Sequence, residues 1–434
     1  MDRAKDLLTR VGLHRPEIRA WAMYDWANSA FATTIITAIF PVYFTSVAGA
    51  NLPAGEATRL LARTTTIALA TSAILAPFLG ALADYAPIKK RLLGLFTAIG
   101  CIAAGCLVLV HRNDWLLAAI LFGIGNVGFT ASLTLYDSFL PHLAREDEID
   151  RISTAGFGVG YLGGGLLLAL NVAWILSPST FGISDAGQAS RLSFLSVALW
   201  WALFSIPLFR RVPEPAVVGF GASSTAALMR ASLLGLLHTL RDLRRYRQAF
   251  LLLVAFVIYS DGIGTIIRLA TSYGTELGLN QGSLITAILL VQFVGIPFAF
   301  LFGMLAGRIG AKTAIFIALA VYTLITVAGY YMKTERDFYI LAFMVASVQG
   351  GSQALSRSLF ASMIPKERSS EFFGFFSIFE KFGAIAGPAA FEVASRTTGS
   401  SRSAILSVMV FFIAGAVVLA FVDVRAGQQA VRGK

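Results

Sequence analysis

The chain has 434 residues, 56% of them hydrophobic and only 14% charged, with a mean hydropathy of +0.73. Soluble domains average about 45–50% apolar and about 25% charged residues, so a soluble globular enzyme is excluded. A net charge of +11 on a soluble chain would point to nucleic acid, but in so apolar a chain it reads as membrane topology and no nucleic-acid partner is expected.

Residues 1–19 carry Arg3, Lys5, Arg10, Arg15 and Arg19 without a separate apolar stretch or a small-residue cleavage site. No removable signal peptide is expected, and the first span itself directs insertion. A helical span needs about 20 mostly apolar residues. Runs of that kind recur at 20–46, 62–84, 92–110, 115–140, 154–176, 192–210, 248–271, 284–307, 313–332, 338–363, 372–395 and 403–423, predicting an all-α integral membrane protein with twelve transmembrane helices.

With both termini inside, 24 of the 35 Lys and Arg fall in inner segments, eight in outer segments, and three (Arg268, Arg357 and Lys381) within spans. The positive-inside rule then makes both termini cytoplasmic. The longest inner connection, 211–247, holds Pro213 and Pro215, then Leu228, Leu233, Leu236, Leu237, Leu240 and Leu243 beside Arg241, Arg244 and Arg245. This pattern predicts an amphipathic helix on the inner membrane surface. The expected organisation is therefore a cytoplasmic segment 1–19, a six-helix bundle 20–210, the linker 211–247, a second six-helix bundle 248–424 and a cytoplasmic tail 425–434.

The halves read as a parallel 6+6 repeat. Gly80-Ala-Leu-Ala-Asp84 closes span 2 and Gly303-Met-Leu-Ala-Gly307 closes span 8, while Pro141 and Pro365 close spans 4 and 10 at nearly the same offset. Spans 3, 6, 9 and 12 have no ionisable interior residue, which suits lipid-facing helices. Asp25, Asp137, Asp261, Arg268, Arg357, Glu380, Lys381 and Glu392 occupy the others. A charge at mid-span costs at least about 2.5–3.5 kcal/mol, so each needs a partner, a cavity or a function.

Arg357 and Lys381 lie at comparable depth, and a cluster of Arg357, Glu380 and Lys381 is expected in the second bundle. Glu380 and Lys381 are neighbours about 100° apart on a helix, so each is expected to pair elsewhere. Asp25, Asn28, Asn126, Tyr136 and Asp137 would form the facing wall. Such walls suit a zwitterion, carboxylate on guanidinium and ammonium on Asp. Proton coupling, where present, would fall to Asp25, Asp261 and Glu380.

The loop 80-GALADYAPIKKR-91 places an acid four residues after a glycine and ahead of a basic triplet. It resembles the loop motif of the major facilitator superfamily, in which the acid caps or bridges a neighbouring helix and latches the outward-facing closure. That resemblance marks Gly80, Asp84, Lys89, Lys90 and Arg91 as a gating loop. The second copy, 303-GMLAGRIGAKT-313, keeps Gly303, Arg308 and Lys312 but has Gly307 in place of the acid.

The blocks 20-AWAMYDWANSAFATTI-35 with Phe40-Pro41, 156-GFGVGYLGGG-165, 259-YSDGIGTI-266, 349-QGGSQALSRSLFASMIP-365 and 372-FFGFFSIFEKFGAIAGP-388 resemble the Atg22/UMF1 family of vacuole effluxer-like proteins. The resemblance implies a twelve-helix facilitator whose fungal members are associated with amino-acid efflux. It marks Tyr24, Asp25, Asn28, Tyr161, Asp261, Gln353, Arg357 and Lys381 as functional candidates. The glycines at 163–165, 350 and 351 read as sites of close helix approach.

No Gly-x-x-x-x-Gly-Lys-[Ser/Thr] loop occurs. The four His lie in or beside loops, and Cys101 and Cys106 share one apolar run, so no metal, cofactor or enzymatic activity is expected. The absence of Asn-x-[Ser/Thr] sequons and the excess of Arg over Lys favour a bacterial inner membrane. The resulting expectation is a monomeric secondary transporter, surrounded by lipid, that moves a small polar solute such as an amino acid or short peptide by alternating access, with proton-coupled efflux as one mode. The alternative is a lipid or amphiphile flippase on the same scaffold.

Overall fold

A computed structural model of the chain describes residues 8–53, 55–217, 246–276, 278–279, 281–383 and 386–432. The amphipathic linker helix expected within 211–247 lies for the most part outside the described residues. Fourteen helices carry the described structure. They are α1 Pro16–Ala48, α2 Glu56–Tyr85, α3 Lys89–Leu109, α4 Trp115–Leu143, α5 Ile149–Leu176, α6 Ala186–Arg211, α7 Arg247–Glu276, α8 Gln281–Ile309, α9 Ala311–Tyr331, α10 Glu335–Ala361, α11 Ser369–Gly383, α12 Ala386–Thr398, α13 Arg402–Ala420 and α14 Val424–Val431. Among the described residues eleven helices, α1 to α10 and α13, are long and apolar enough to cross a membrane.

Residues 372–395, expected as one span, are described as α11 and α12 on either side of residues 384 and 385, which lie outside the described residues. The Gly387 amide donates to Asp261 Oδ2 of α7 at 2.6 Å.

Helix limits follow from capping. Asp185 accepts the Gln188 amide at the start of α6, and Thr334 with Asp337 forms a reciprocal capping box at the start of α10. In α1, Pro41 cannot donate to the preceding turn. The winding on either side is wider than α, with Ile39 N–H donating to Thr34 O and Gly49 N–H to Phe44 O, each five residues back.

The helix pairings repeat between the halves. In the first, α2 packs on α4, α3 on α4, α1 on α6, α3 on α6 and α1 on α5; in the second, α8 packs on α10, α9 on α10, α7 on α13, α9 on α13 and α7 on α11. The halves meet through α2 with α11 and α5 with α8. Leu95 and Ile102 of α3, Leu199 and Leu203 of α6, Leu324 of α9 and Val410 and Val417 of α13 are exposed. These are the spans without charges, as a lipid-facing role requires.

Both cross-half seams depend on a glycine. A Cβ on Gly80 of α2 would lie 2.2 Å from Ser370 O of α11, and one on Gly303 of α8 would lie 2.1 Å from Thr154 Oγ1 of α5. Lys90 donates to Val212 O just beyond α6, and Lys312 to Val422 O just beyond α13. Equivalent positions of the two halves thus do equivalent work, and all of these ties lie at the end of the molecule that gathers the Lys- and Arg-rich connections. We call it the basic end.

Candidate functional site: a closed basic end and a cavity opposite

Arg357, near the end of α10, is almost fully buried beside Asp25 of α1 and Asp137 of α4. Its Nη1 donates to Asp137 Oδ1 at 2.8 Å and stands 3.7 Å from Asp25 Oδ2. Nε donates to Ser153 Oγ and Nη2 to Ser153 O of α5, both at 2.9 Å. Tyr136 OH donates to Asp25 Oδ2 at 2.8 Å. The guanidinium lies 4.6 Å from the ring centre of Phe157 and 5.0 Å from that of Trp21, a planar cation held among aromatic faces. Gly156 makes room for this packing, since a Cβ there would meet Asp25 Oδ2 at 2.6 Å.

One cation facing two carboxylates forms a bridge between the halves, three groups from the first half closing on one from the second. Ser153 Oγ also donates to Ala354 O at 2.7 Å, and Ser358 Oγ to Asp150 Oδ1 at 2.5 Å. Nearer the basic surface, Asp84 accepts the amides of Ser370 at 3.2 Å and Glu371 at 2.8 Å, so this carboxylate of α2 caps α11 in the other half. Lys89 Nζ lies 3.3 Å from Asp84 Oδ1 and donates to Ser369 Oγ. At the rim, Arg432 pairs with Glu146.

The gating-loop residues divide accordingly. Gly80, Asp84 and Lys89 make the cross-half latch, and Lys90 ties its own half together. Arg91 and Arg308 are exposed, and Gly307, where the acid is missing, has open space around it.

Of the proposed wall, Asp25, Tyr136 and Asp137 meet Arg357. Tyr24 is fully buried behind them, stacked on Tyr136 and bonded to Thr97 Oγ1 at 2.7 Å. Asn126 turns inward to Phe122 O of its own helix, and Asn28 is buried with Nδ2 unpaired. The Tyr161 ring packs on Gly295 and Gly350 across the seam, and Gln353 sits one turn before Arg357.

Glu380 and Lys381 depart from expectation. They pair with each other, Lys381 Nζ to Glu380 Oε2 at 3.1 Å. Their backbone directions do diverge, but both side chains are long enough to bend round the helix and meet. Together with Asp137 they line a space of about 20 Å³, room for about one water molecule.

Toward the opposite end lies a cavity of about 470 Å³, bounded by Ile36, Thr37 and Pro41 of α1 and otherwise by the second half. None of the residues proposed for substrate binding lines it. Its walls are mostly apolar, with Leu284, Ile288, Phe338 and Val345 among them. Thr265, Arg268, Gln292, Thr326 and Gln349 supply polar groups. Arg268 is the one charged lining residue among those described, 3.8 Å from Asp261 Oδ1. Sequence reasoning placed Asp261 and Arg268 inside span 7 but not beside a cavity.

Between described residues, the cross-half hydrogen bonds and ion pairs lie at the basic end, while the large cavity lies toward the other. A multi-pass membrane protein of two similarly paired helical halves, tied at one end and hollow toward the other, has the architecture of a major facilitator transporter. The xylose–proton symporter XylE, solved with 6-bromo-6-deoxy-D-glucose bound, superposes with a TM-score of 0.71 at 14% identity, covering 94% of this chain and 95% of that one.

Residues 13–432 match the family described as "Vacuole effluxer Atg22 like", and the chain belongs to that family. It is 38% identical over 406 residues to the uncharacterized MFS-type transporter YxiO of Bacillus subtilis, covering 93% of this chain and 94% of the relative. It is 23% identical over 525 residues to autophagy-related protein 22 of Pyricularia oryzae, covering 95% of this chain and 77% of the fungal protein.

Proposed function

We propose that this chain is a secondary active transporter that moves a small organic solute by alternating access, with the Arg357–Asp25–Asp137 cluster as the main gate of the basic end. The observation that carries this reading is the segregation of cross-half ties to one end and cavity to the other. Two rocking bundles, 20–210 and 248–424, joined by the linker 211–247, would exchange which end is open, and a twelve-span count would take α11 and α12 together as one span. The Lys and Arg asymmetry supports cytoplasmic termini in a bacterial inner membrane.

Arg357 has its donors engaged by Asp137 and Ser153 in this state, which favours a gating role over a standing carboxylate anchor. An amino-acid-like solute with an apolar side chain suits the size of the cavity. Proton coupling at Asp25, Asp261 or Glu380 belongs to the same proposal. A second reading, amphiphile export, is favoured by the largely apolar cavity walls.

The test is access from the basic end. Ser153 is fully buried, so a cysteine there, with Cys101 and Cys106 replaced, is expected to label slowly with a membrane-impermeant maleimide. Adding Arg357→Gln should speed labelling at least tenfold by removing the cross-half bridge. Equal rates in the two backgrounds would reject Arg357 as a gate.

A further inference from the structure

The large cavity has a chemical bias that the gate does not explain. Its walls are apolar on nearly every helix of the second half, and the one charged group among its described lining residues is the Arg268 guanidinium, whose side chain is 46% exposed. Asp261, the carboxylate paired with it among the described residues, is turned away. That side chain is 2% exposed and does not line the cavity, and its Oδ2 accepts the Gly387 amide at 2.6 Å. Its Oδ1 has no hydrogen-bond partner among the described residues, and Arg268 Nη2 stands beyond hydrogen-bond distance at 3.8 Å. The cavity therefore meets the positive member of the pair and is shielded from the negative one.

This one-sidedness has two structural causes. A Cβ at position 387 would strike Thr265 Oγ1 at 2.1 Å and approach Asp261 Oδ1 at 3.0 Å, so glycine is what lets α12 come close enough to cover the carboxylate. Arg268 lies seven residues beyond Asp261 on α7, about two turns, on the same face. Its long side chain spans the distance from carboxylate to cavity. Thr265, between them, bonds to Asp261 O and also lines the cavity.

We propose that this cavity is a binding site for amphipathic organic monoanions, an apolar body lying against residues such as Leu284, Phe338 and Val345 and a carboxylate on Arg268. The proposal rests on the transporter reading and replaces the amino-acid-like solute, which the cavity suits in size alone, with a monoanion. Among the described residues no carboxylate lines the cavity to receive the ammonium of a zwitterion, Asp261 being covered, and an ammonium amphiphile would face Arg268 directly. A guanidinium matches a carboxylate with two parallel N–H donors, and the surrounding low-dielectric wall strengthens that contact. Asp261 acts as the resident counter-ion that the incoming carboxylate supplements or displaces.

The experiment uses the full-length chain in nanodiscs, with binding of octanoate, octan-1-ol, octylammonium and leucine read by the rise in apparent melting temperature across a concentration series. Octanoate is expected to bind at least tenfold more tightly than octylammonium or leucine. Arg268→Gln should weaken octanoate at least tenfold and leave octan-1-ol within twofold. Arg268→Lys, which keeps the charge, should retain the preference for octanoate over octylammonium and provides the test should the Gln variant fail to fold.

Asp261→Asn should strengthen octanoate by removing the competing anion. Tighter binding of leucine or octylammonium than of octanoate, or Arg268→Gln without effect on octanoate, would overturn the proposal. Equal binding of all four compounds would also overturn it, showing an apolar cavity without head-group recognition. Labelling of Ser153→Cys reads the gate independently, so the site can fail while alternating access stands.

Discussion

Asp84→Asn isolates the energy of the latch at the basic end. In the closed state Asp84 accepts two amides of α11 and lies 3.3 Å from Lys89, both side chains being 3% exposed. Loss of a capping acceptor costs about 1 kcal/mol, and loss of a buried negative charge at a helix N-terminus up to about 2 kcal/mol. Lys89 is also left beside a neutral amide, an unpaired buried cation being strongly unfavourable. Because asparagine keeps one acceptor oxygen, about 3 kcal/mol in all is a reasonable sum. The amides belong to the other half, so the loss falls on the closed state and spares the open one.

At about 1.4 kcal/mol per factor of ten, the open fraction at this end should rise about 150-fold. Ser138 is fully buried beneath the latch, with its hydroxyl on Ser370. A cysteine there, in a chain without Cys101 and Cys106, labels in proportion to the open fraction when reclosing is fast. Asp84→Asn should accelerate that labelling about 150-fold. Adding Lys89→Gln should recover part of the difference by removing the uncompensated cation. An acceleration below about threefold would refute the reasoning and leave the cap as a local helix stop.

Gly80→Ala should lower the melting temperature, because the added Cβ would lie 2.2 Å from a backbone oxygen that cannot swing aside. Overpacking of this kind costs about 1–3 kcal/mol. Gly307→Ala meets nothing within 4 Å and should raise the melting temperature slightly, through a helix propensity gain of up to about 1 kcal/mol. Arg357→Lys should accelerate labelling at Ser153→Cys nearly as much as Arg357→Gln, because an ammonium cannot reproduce both the Asp137 contact and the one to the backbone oxygen at 153; a rate equal to the parent's would show that charge alone holds the gate. Arg432→Ala should leave the melting temperature nearly unchanged, since both it and Glu146 are half-exposed, with any effect fading at high salt.

Spans α1 to α10 and the uncharged lipid-facing helices were legible because hydrophobic run length and the cost of intramembrane charge act locally. That Arg357 faces Asp25 and Asp137 was legible in outline, since an intramembrane charge needs a partner or a cavity; that they meet directly, with Glu380 and Lys381 paired to each other, was not. The Arg357 partners Ser153, Trp21 and Phe157 were not either, because serine and aromatic residues carry no comparable penalty when alone. The Glu380–Lys381 pair escaped a rule about backbone direction that long side chains override. The cavity beside Arg268 depends on how α12 covers Asp261, a contact set by one glycine between helices far apart in sequence.

The five-residue winding of α1 on both sides of Pro41 gives this helix a mechanical property that its neighbours lack. A wide turn holds a surplus residue, and that surplus can pass along the helix by exchanging one carbonyl partner at a time, with no stretch of backbone left bare. The part of α1 at Ile36, Thr37 and Pro41 forms a wall of the cavity, whereas Asp25 is anchored at the gate. Migration of the surplus would twist the first part against the second, so α1 can serve as a torsional joint that lets the cavity wall turn while the gate stays fastened.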